Sequence, residues 1–163
     1  MARDILLTQI SAGVFDLLTQ DDDLVGDESL GTAVLISLFT DARADADDLP
    51  PEWKDPRGWW ADAMLATASR DFQGVGSRLW LLARQKQTTE VVARAEDYAR
   101  QALQWLIDDG IVSAVNVTAD APSMGLLTLE VAVTHTDPKA TQRSTSRWTI
   151  SMDEQQISMR AAV

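Results

Sequence analysis

The hydrophobic period of the chain changes at Gly110, and no other feature limits its fold as strongly. From Glu90 to Asp109 the apolar residues Val92, Ala95, Ala99, Ala102, Leu103 and Leu106 recur at intervals of three and four, with Val91, Tyr98 and Trp105 widening the stripe. This spacing predicts an amphipathic helix, capped by Thr88-Thr89 and stopped by Gly110. At 1.5 Å per residue it is roughly 30 Å long, enough to span a domain. Glu90 with Arg94 and Glu96 with Arg100 stand in the favourable i,i+4 order, each pair worth about 0.3 kcal/mol. After Gly110 the period is two: Val115 and Val117 alternate with polar residues, as do Leu127, Leu129, Val131 and Val133 after a turn at 120–125. Trp148, Ile150 and Met152 repeat the pattern beyond a polar loop at 136–146, and Ile157 with Met159 offers a fourth strand.

Ahead of the helix, residues 4–8 and 13–19 are short apolar runs bounded by Gly, Ser and acids, which predicts an N-terminal β-hairpin. Leu30 to Asp41 is apolar on nearly every side and fits a buried helix or a buried strand. Polar and acidic Asp27, Glu28 and Ser29 at its start favour the helix. Pro50-Pro51 marks the following stretch as loop, and Ser77 to Lys86 is expected as a short helix with Arg78, Arg84 and Lys86 exposed. The order is an N-terminal β-hairpin, about three helices including one long central helix, and a C-terminal antiparallel sheet of three or four strands. This is an α+β fold, expected as a single domain over 1–163: a hairpin region at 1–29, a helical part at 30–110 and a sheet at 111–163.

A formal net charge of −11 and a pI near 4.3 argue against nucleic acid as a partner, since binding phosphates requires clustered Lys and Arg. The acids are dispersed through loops, which points to solubility or to a basic protein partner. With no cysteine there is no disulfide, thiolate nucleophile or Cys-bound zinc. No apolar run approaches the roughly 20 residues that cross a bilayer, and no leader-like segment follows Met1, so membrane insertion is not expected and folding in a cytoplasm is. Asp21 to Gly26 resembles a calcium loop, but Val25 and Thr32 stand where oxygen ligands belong, so a solvated turn is expected and no metal or cofactor is assigned. His135, the single histidine, has no identifiable triad partner, and Gly74-Val75-Gly76 lacks the third glycine of a dinucleotide loop.

The densest unusual chemistry lies at 52–62, where Trp53, Trp59 and Trp60 mix with Lys54, Arg57, Glu52, Asp55 and Asp62. Carboxylates beside tryptophans are what sugar-cleaving sites use. The rival arrangement pairs Arg57 with Asp55 or Asp62 and makes the indoles interface anchors, and the enrichment of Trp and Arg at binding hot spots favours it. No catalytic residue is assigned. The loop lies between Arg43 and Arg78, so it is also placed to clamp two helix ends, and the sequence leaves buried and exposed positions for its indoles both standing.

Four spaced motifs carry a resemblance: 30–43 (LGTAVLISLFTDAR), 55–60 (DPRGWW), 76–80 (GSRLW) and 98–106 (YARQALQWL), followed by Val115-Asn116-Val117. Together they resemble the Mu-like bacteriophage baseplate protein family over almost the whole chain. The resemblance implies a non-enzymatic component of the contractile tail baseplate wedge, located in the virion and assembled in the host cytoplasm. It also implies partners among the larger wedge proteins and the sheath, tube or hub, with the long helix in a bundle contact and the C-terminal strands offering an edge to the first sheath ring. Partner-binding positions are then expected at Arg43, Asp55, Arg57, Trp59, Trp60, Arg78, Trp80 and Trp105. The wider group carries a Glu-Pro-Arg motif directly after its long helix, where this chain reads Ile107-Asp108-Asp109-Gly110, so that motif's role is not carried over. A peptidoglycan-degrading, tail-lysozyme-like enzyme using the loop carboxylates is the alternative.

Overall fold

The structure, a computed structural model, describes residues 4–11, 13–27, 29–49, 53–62, 64, 67, 74–83, 85–135, 145–153 and 157–161. Glu28, the Pro50-Pro51 pair, Glu52, Arg84 and most of the 136–146 loop, all named above, lie outside them.

The C-terminal half is a four-stranded antiparallel sheet formed by β7 (Val112–Ser123), β8 (Leu126–His135), β9 (Thr145–Met152) and β10 (Ile157–Ala161), in spatial order β10-β9-β8-β7. Its alternation is the one read from sequence: Leu129, Val131 and Val133 are buried while Glu130 is exposed. The expected turn at 120–125 is smaller than predicted. β7 runs on to Ser123, and only Met124-Gly125 turns the chain. Pro122 is tolerated because the ladder is irregular between Asp120 and Ser123, where a residue without an N–H costs no pairing.

Helix α1 (Gly31–Phe39) settles the helix-or-strand ambiguity in favour of helix. Helix α2 (Thr89–Leu103) begins as predicted, with the Thr88 hydroxyl accepting from the Val91 N–H. The expected unbroken run to Asp109 is corrected. The Gln104 N–H bonds the Gln101 carbonyl, the Ile107 and Asp108 N–H groups converge on the Gln104 carbonyl, and a separate turn α3 (Trp105–Asp108) follows the bend. Gly110, at φ 69°, then closes a Schellman turn: Ile111 N–H bonds Leu106 O, and Gly110 N–H bonds Ile107 O.

The expected helix at Ser77–Lys86 is replaced by a 3₁₀ turn at Leu79–Leu82. Leu79, Trp80, Leu81 and Leu82 are consecutive and all buried, so no face of this segment is left for water as an amphipathic helix would require. Among the described residues α1 and the bent α2–α3 run are thus the two long helices, against about three expected, and Asp62, Met64 and Thr67 are helical as well.

One core joins these elements. Val91, Ala95, Tyr98, Ala99 and Leu103 of α2 and Leu106 of α3 pack with Val34 and Leu38 of α1, the 3₁₀ turn, and the sheet face carrying Val117, Leu129, Val131, Trp148 and Ile150.

The N-terminal hairpin is present and more elaborate than predicted. β2 (Leu7–Ser11) pairs with β3 (Val14–Leu17), but β1 (Asp4–Ile5) also pairs with β6 (Gly26–Asp27), and β4 (Thr19–Gln20) with β5 (Asp23–Leu24). Asp21 and Asp22, both at positive φ, make the two-residue turn between β4 and β5.

Candidate functional site

The tryptophan loop is built by a close approach of two chain segments that no local pattern announces. Asp41 and Ser77 form a parallel bridge in which Ser77 N–H donates to Thr40 O and Ala42 N–H to Ser77 O, each at 2.9 Å. Gly76 makes this possible. At φ 108° it occupies a conformation L side chains rarely adopt, and a Cβ there would lie 2.2 Å from the Thr40 carbonyl oxygen. The Ser77 hydroxyl, buried, donates to the Leu38 carbonyl at the end of α1.

On this frame Trp80 sits 7% exposed, its Nε1–H donating to Ala42 O at 2.9 Å. Trp53 stacks on it with ring centroids 5.7 Å apart and planes within 8°. The Arg57 guanidinium carbon lies 4.5 Å from the Trp80 ring centroid, and its Nη1 reaches Asp41 Oδ2 at 2.7 Å. Arg57 has φ 51°, held by the Asp55 carboxylate accepting its N–H at 2.9 Å. The expected side-chain pairing of Arg57 with Asp55 or Asp62 is therefore corrected. Asp55 bonds the Arg57 backbone, and Asp62 accepts from the N–H groups of Trp59 and Val75, each at 3.2 Å. The backbone takes positive φ at both Arg57 and Gly58, and the guanidinium meets Asp41 instead.

Arg78, expected to be exposed, is tied in on every side. It donates to Asp48 at 2.7 Å, Asp45 at 3.3 Å and Gln101 of α2 at 2.6 Å, and its guanidinium lies 5.0 Å from the Tyr98 ring centroid. Arg43 is exposed, and its Cβ stands against Gly58, where an added Cβ would come within 3.1 Å. Arg94 donates to Gln85 and Tyr98, whereas Arg100 keeps Glu96 as predicted and adds Asp97.

The other end of the loop faces solvent. Trp60 is 78% exposed and touches Trp59, which is half-buried, with centroids 5.5 Å apart and planes at 53°. Met64 is exposed just beyond. Trp105 lies on a different surface, against α1: it is 40% exposed and donates to the Ser37 hydroxyl at 3.0 Å, near exposed Ile36. The eight predicted positions therefore divide. Trp80, Arg57, Asp55 and Arg78 hold the loop, Arg43 borders it, Trp59 and Trp60 present a face to solvent, and Trp105 stands apart.

Trp53, Asp41, Asp48 and Gln101 were missed, and only Trp53 had a sequence signal, its membership in the Trp cluster. A shallow pocket of 280 Å³ lies over the clamp, lined by Trp53, Lys54, Asp55, Arg57, Trp80 and Ala83. Among the described residues no cluster of three or more His, Asp and Glu is placed to hold a metal, and no helix is long and apolar enough to cross a membrane. His135 bonds Ser146 at 2.8 Å through Nε2, a contact between neighbouring strands.

A family model described as "Phage protein GP46" matches residues 30–142. The chain is 47% identical over 123 residues to "Baseplate protein gp46" of Escherichia phage Mu, covering 75% of this chain and 81% of that one. It is 42% identical over 132 residues to "Mu-like prophage FluMu protein gp46" of Haemophilus influenzae, covering 81% of this chain and 87% of the relative. The matched span includes the whole loop, both helices and the first two long strands.

Proposed function

The chain belongs to the phage protein GP46 family, and on that premise we propose that it is a structural component of a phage tail baseplate. It is assembled in the bacterial cytoplasm and docks larger wedge proteins through the exposed end of its tryptophan loop. The observation that carries this reading is the contrast within the loop. Trp60 is 78% exposed on a backbone that Trp80, Arg57 and Arg78 hold in place. A large, rigid aromatic side chain that contributes little to its own core is the kind of residue that anchors a protein interface.

A structural rather than catalytic role is supported by the loop carboxylates Asp55 and Asp62 each bonding a backbone N–H of the loop. Two further contacts belong to the same proposal. The outer edge of β7 offers unpaired backbone groups to a strand of the first sheath ring. The Trp105–Ile36 surface offers a second apolar contact to a neighbouring helix.

The test is co-expression with the larger baseplate wedge proteins of the same phage. The wild type should co-purify stoichiometrically, and Trp60→Ala and Trp59→Ala should release it while remaining folded. Normal tail assembly by both variants would overturn the docking role.

A further inference from the structure

Residues 4–27 form a built arm with a fixed base, and the tryptophan loop does not account for it. Three short ladders meet at one junction, where Leu6 N–H donates to Val25 O, Val25 N–H to Leu18 O and Leu18 N–H to Leu6 O, at 2.8 to 2.9 Å. The β1–β6 pair is the stem, and the β2–β3 and β4–β5 hairpins are two leaves. The stem is fastened to α1 by Thr32, whose hydroxyl accepts from Leu7 N–H and donates to Ile5 O. Asp27, 5% exposed, accepts the Thr32 N–H at 2.6 Å and caps the helix. The first leaf also touches the sheet, where Gln9 Oε1 accepts from Met159 N–H of β10.

The arm is thus held in one orientation, yet its apolar side chains stay outside the core. Ile10 is 62% exposed, and Ile5, Val14, Leu17 and Leu24 are also exposed. Hairpins of two to five residues per strand are marginal alone in water, and leaving large apolar groups uncovered adds nothing to their stability. The arm also lies ahead of the span that the family model matches, which begins at residue 30.

Charge narrows what covers it. Asp4, Asp16, Asp21, Asp22, Asp23 and Asp27 lie in this stretch, which contains no Lys, Arg or His. A second copy of the chain does not complement it. Each copy carries 14 cations against 25 acids, a net charge of −11, so two copies repel one another as a whole. We infer that the arm is a docking element for a different protein whose surface is apolar and rimmed with Lys or Arg. In the assembled baseplate its leaves lie on that surface, the apolar side chains giving contact area and the acids giving steering and choice of partner.

This inference rests on the chain being a baseplate component, and its test is made on intact tail particles that carry the chain. The probe is a carbodiimide, which joins carboxylates directly to lysine amines, combined with hydrogen exchange. Cross-links from Asp16 or Asp21–Asp23 to lysines of another protein are expected, together with arm amides exchanging at least about tenfold more slowly than in the free chain. Ile10→Ser/Val14→Thr/Leu17→Thr and Asp21→Asn/Asp22→Asn/Asp23→Asn should each reduce incorporation into tails about tenfold or more. Both variants leave the core untouched, and their folding is checked by an unchanged unfolding midpoint. Cross-links to a second copy, or arm amides as exposed in tails as in the free chain, would overturn the inference and leave the baseplate reading standing. Absence of the chain from tails would overturn both.

Discussion

Trp80 and Trp60 lie at the two ends of one structural unit and do opposite things. Trp80 is 7% exposed, hydrogen-bonded, stacked on Trp53 and covered by Arg57, whereas Trp60 is 78% exposed and touches Trp59. Both are tryptophans within three positions of an arginine in sequence, Arg78 for Trp80 and Arg57 for Trp60. What separates them is the parallel bridge at Asp41–Ser77, which brings Trp80 under the loop and leaves Trp60 on its outside. Residue type marked the region as built for contact, and only the chain crossing decides which contacts are internal.

Substitutions can break this contrast, and their expected effects on stability fall in a definite order. Trp80→Ala is the largest, removing a buried indole and the support of Trp53 and Arg57. A loss of about 3–5 kcal/mol is expected in urea unfolding. Gly76→Ala comes next, at about 2–3 kcal/mol, since it places a methyl group against the Thr40 carbonyl at a φ that alanine disfavours. A cost near zero would mean that the bridge is not formed.

Asp27→Ala should cost about 1 kcal/mol at neutral pH through the lost cap of α1. Its effect depends on pH in a fixed direction. Burial pushes the Asp27 carboxyl up, but the bonds it accepts from the Thr32 N–H and from the N–H and hydroxyl of Ser29 outweigh burial and leave it below the usual carboxylate range. A lowered folded value means that this stabilisation is fully present above about pH 4 and disappears as pH falls through the folded value. The gap between wild type and Asp27→Ala should therefore close on the acid side. A gap independent of pH would show that the charge of Asp27 is not what holds the turn.

Arg57→Ala is smaller, at most about 1 kcal/mol, because the Asp41 ion pair is about half exposed and the ring contact is modest. Trp60→Ala is expected to change stability by less than about 0.5 kcal/mol.

The sequence discloses the sheet and the long helix because burial on one face imposes a period that survives in the residues: Leu129, Val131 and Val133 for β8, and Ala95, Ala99 and Leu103 for α2. Thr88 and Gly110 mark the helix ends because capping is local chemistry. Leu79 to Leu82 misled because four adjacent apolar residues carry no period, and a one-turn 3₁₀ segment buries them as well as a helix would.

At the site, the composition of the loop located the region, but the partners of Arg57 and Arg78 did not follow from it. Asp41 is 16 positions from Arg57, and Asp48 and Gln101 are 30 and 23 from Arg78, separations at which no sequence spacing constrains contact. The arm was legible as a hairpin from Gly13 and the flanking apolar runs, while its three-way junction depends on hydrogen bonds among Leu6, Leu18 and Val25 that no side chain announces.

The most direct test measures Trp60→Ala twice on one preparation: its unfolding midpoint, and its affinity for the wedge protein that co-purifies with the wild type. An anchor at the centre of an interface is worth at least about 2 kcal/mol, or roughly 30-fold in affinity. The expected result is a loss of that size with an unchanged midpoint. Unchanged affinity, or a fall in affinity matched by a fall in stability, would contradict the assignment of the exposed half of the loop to docking.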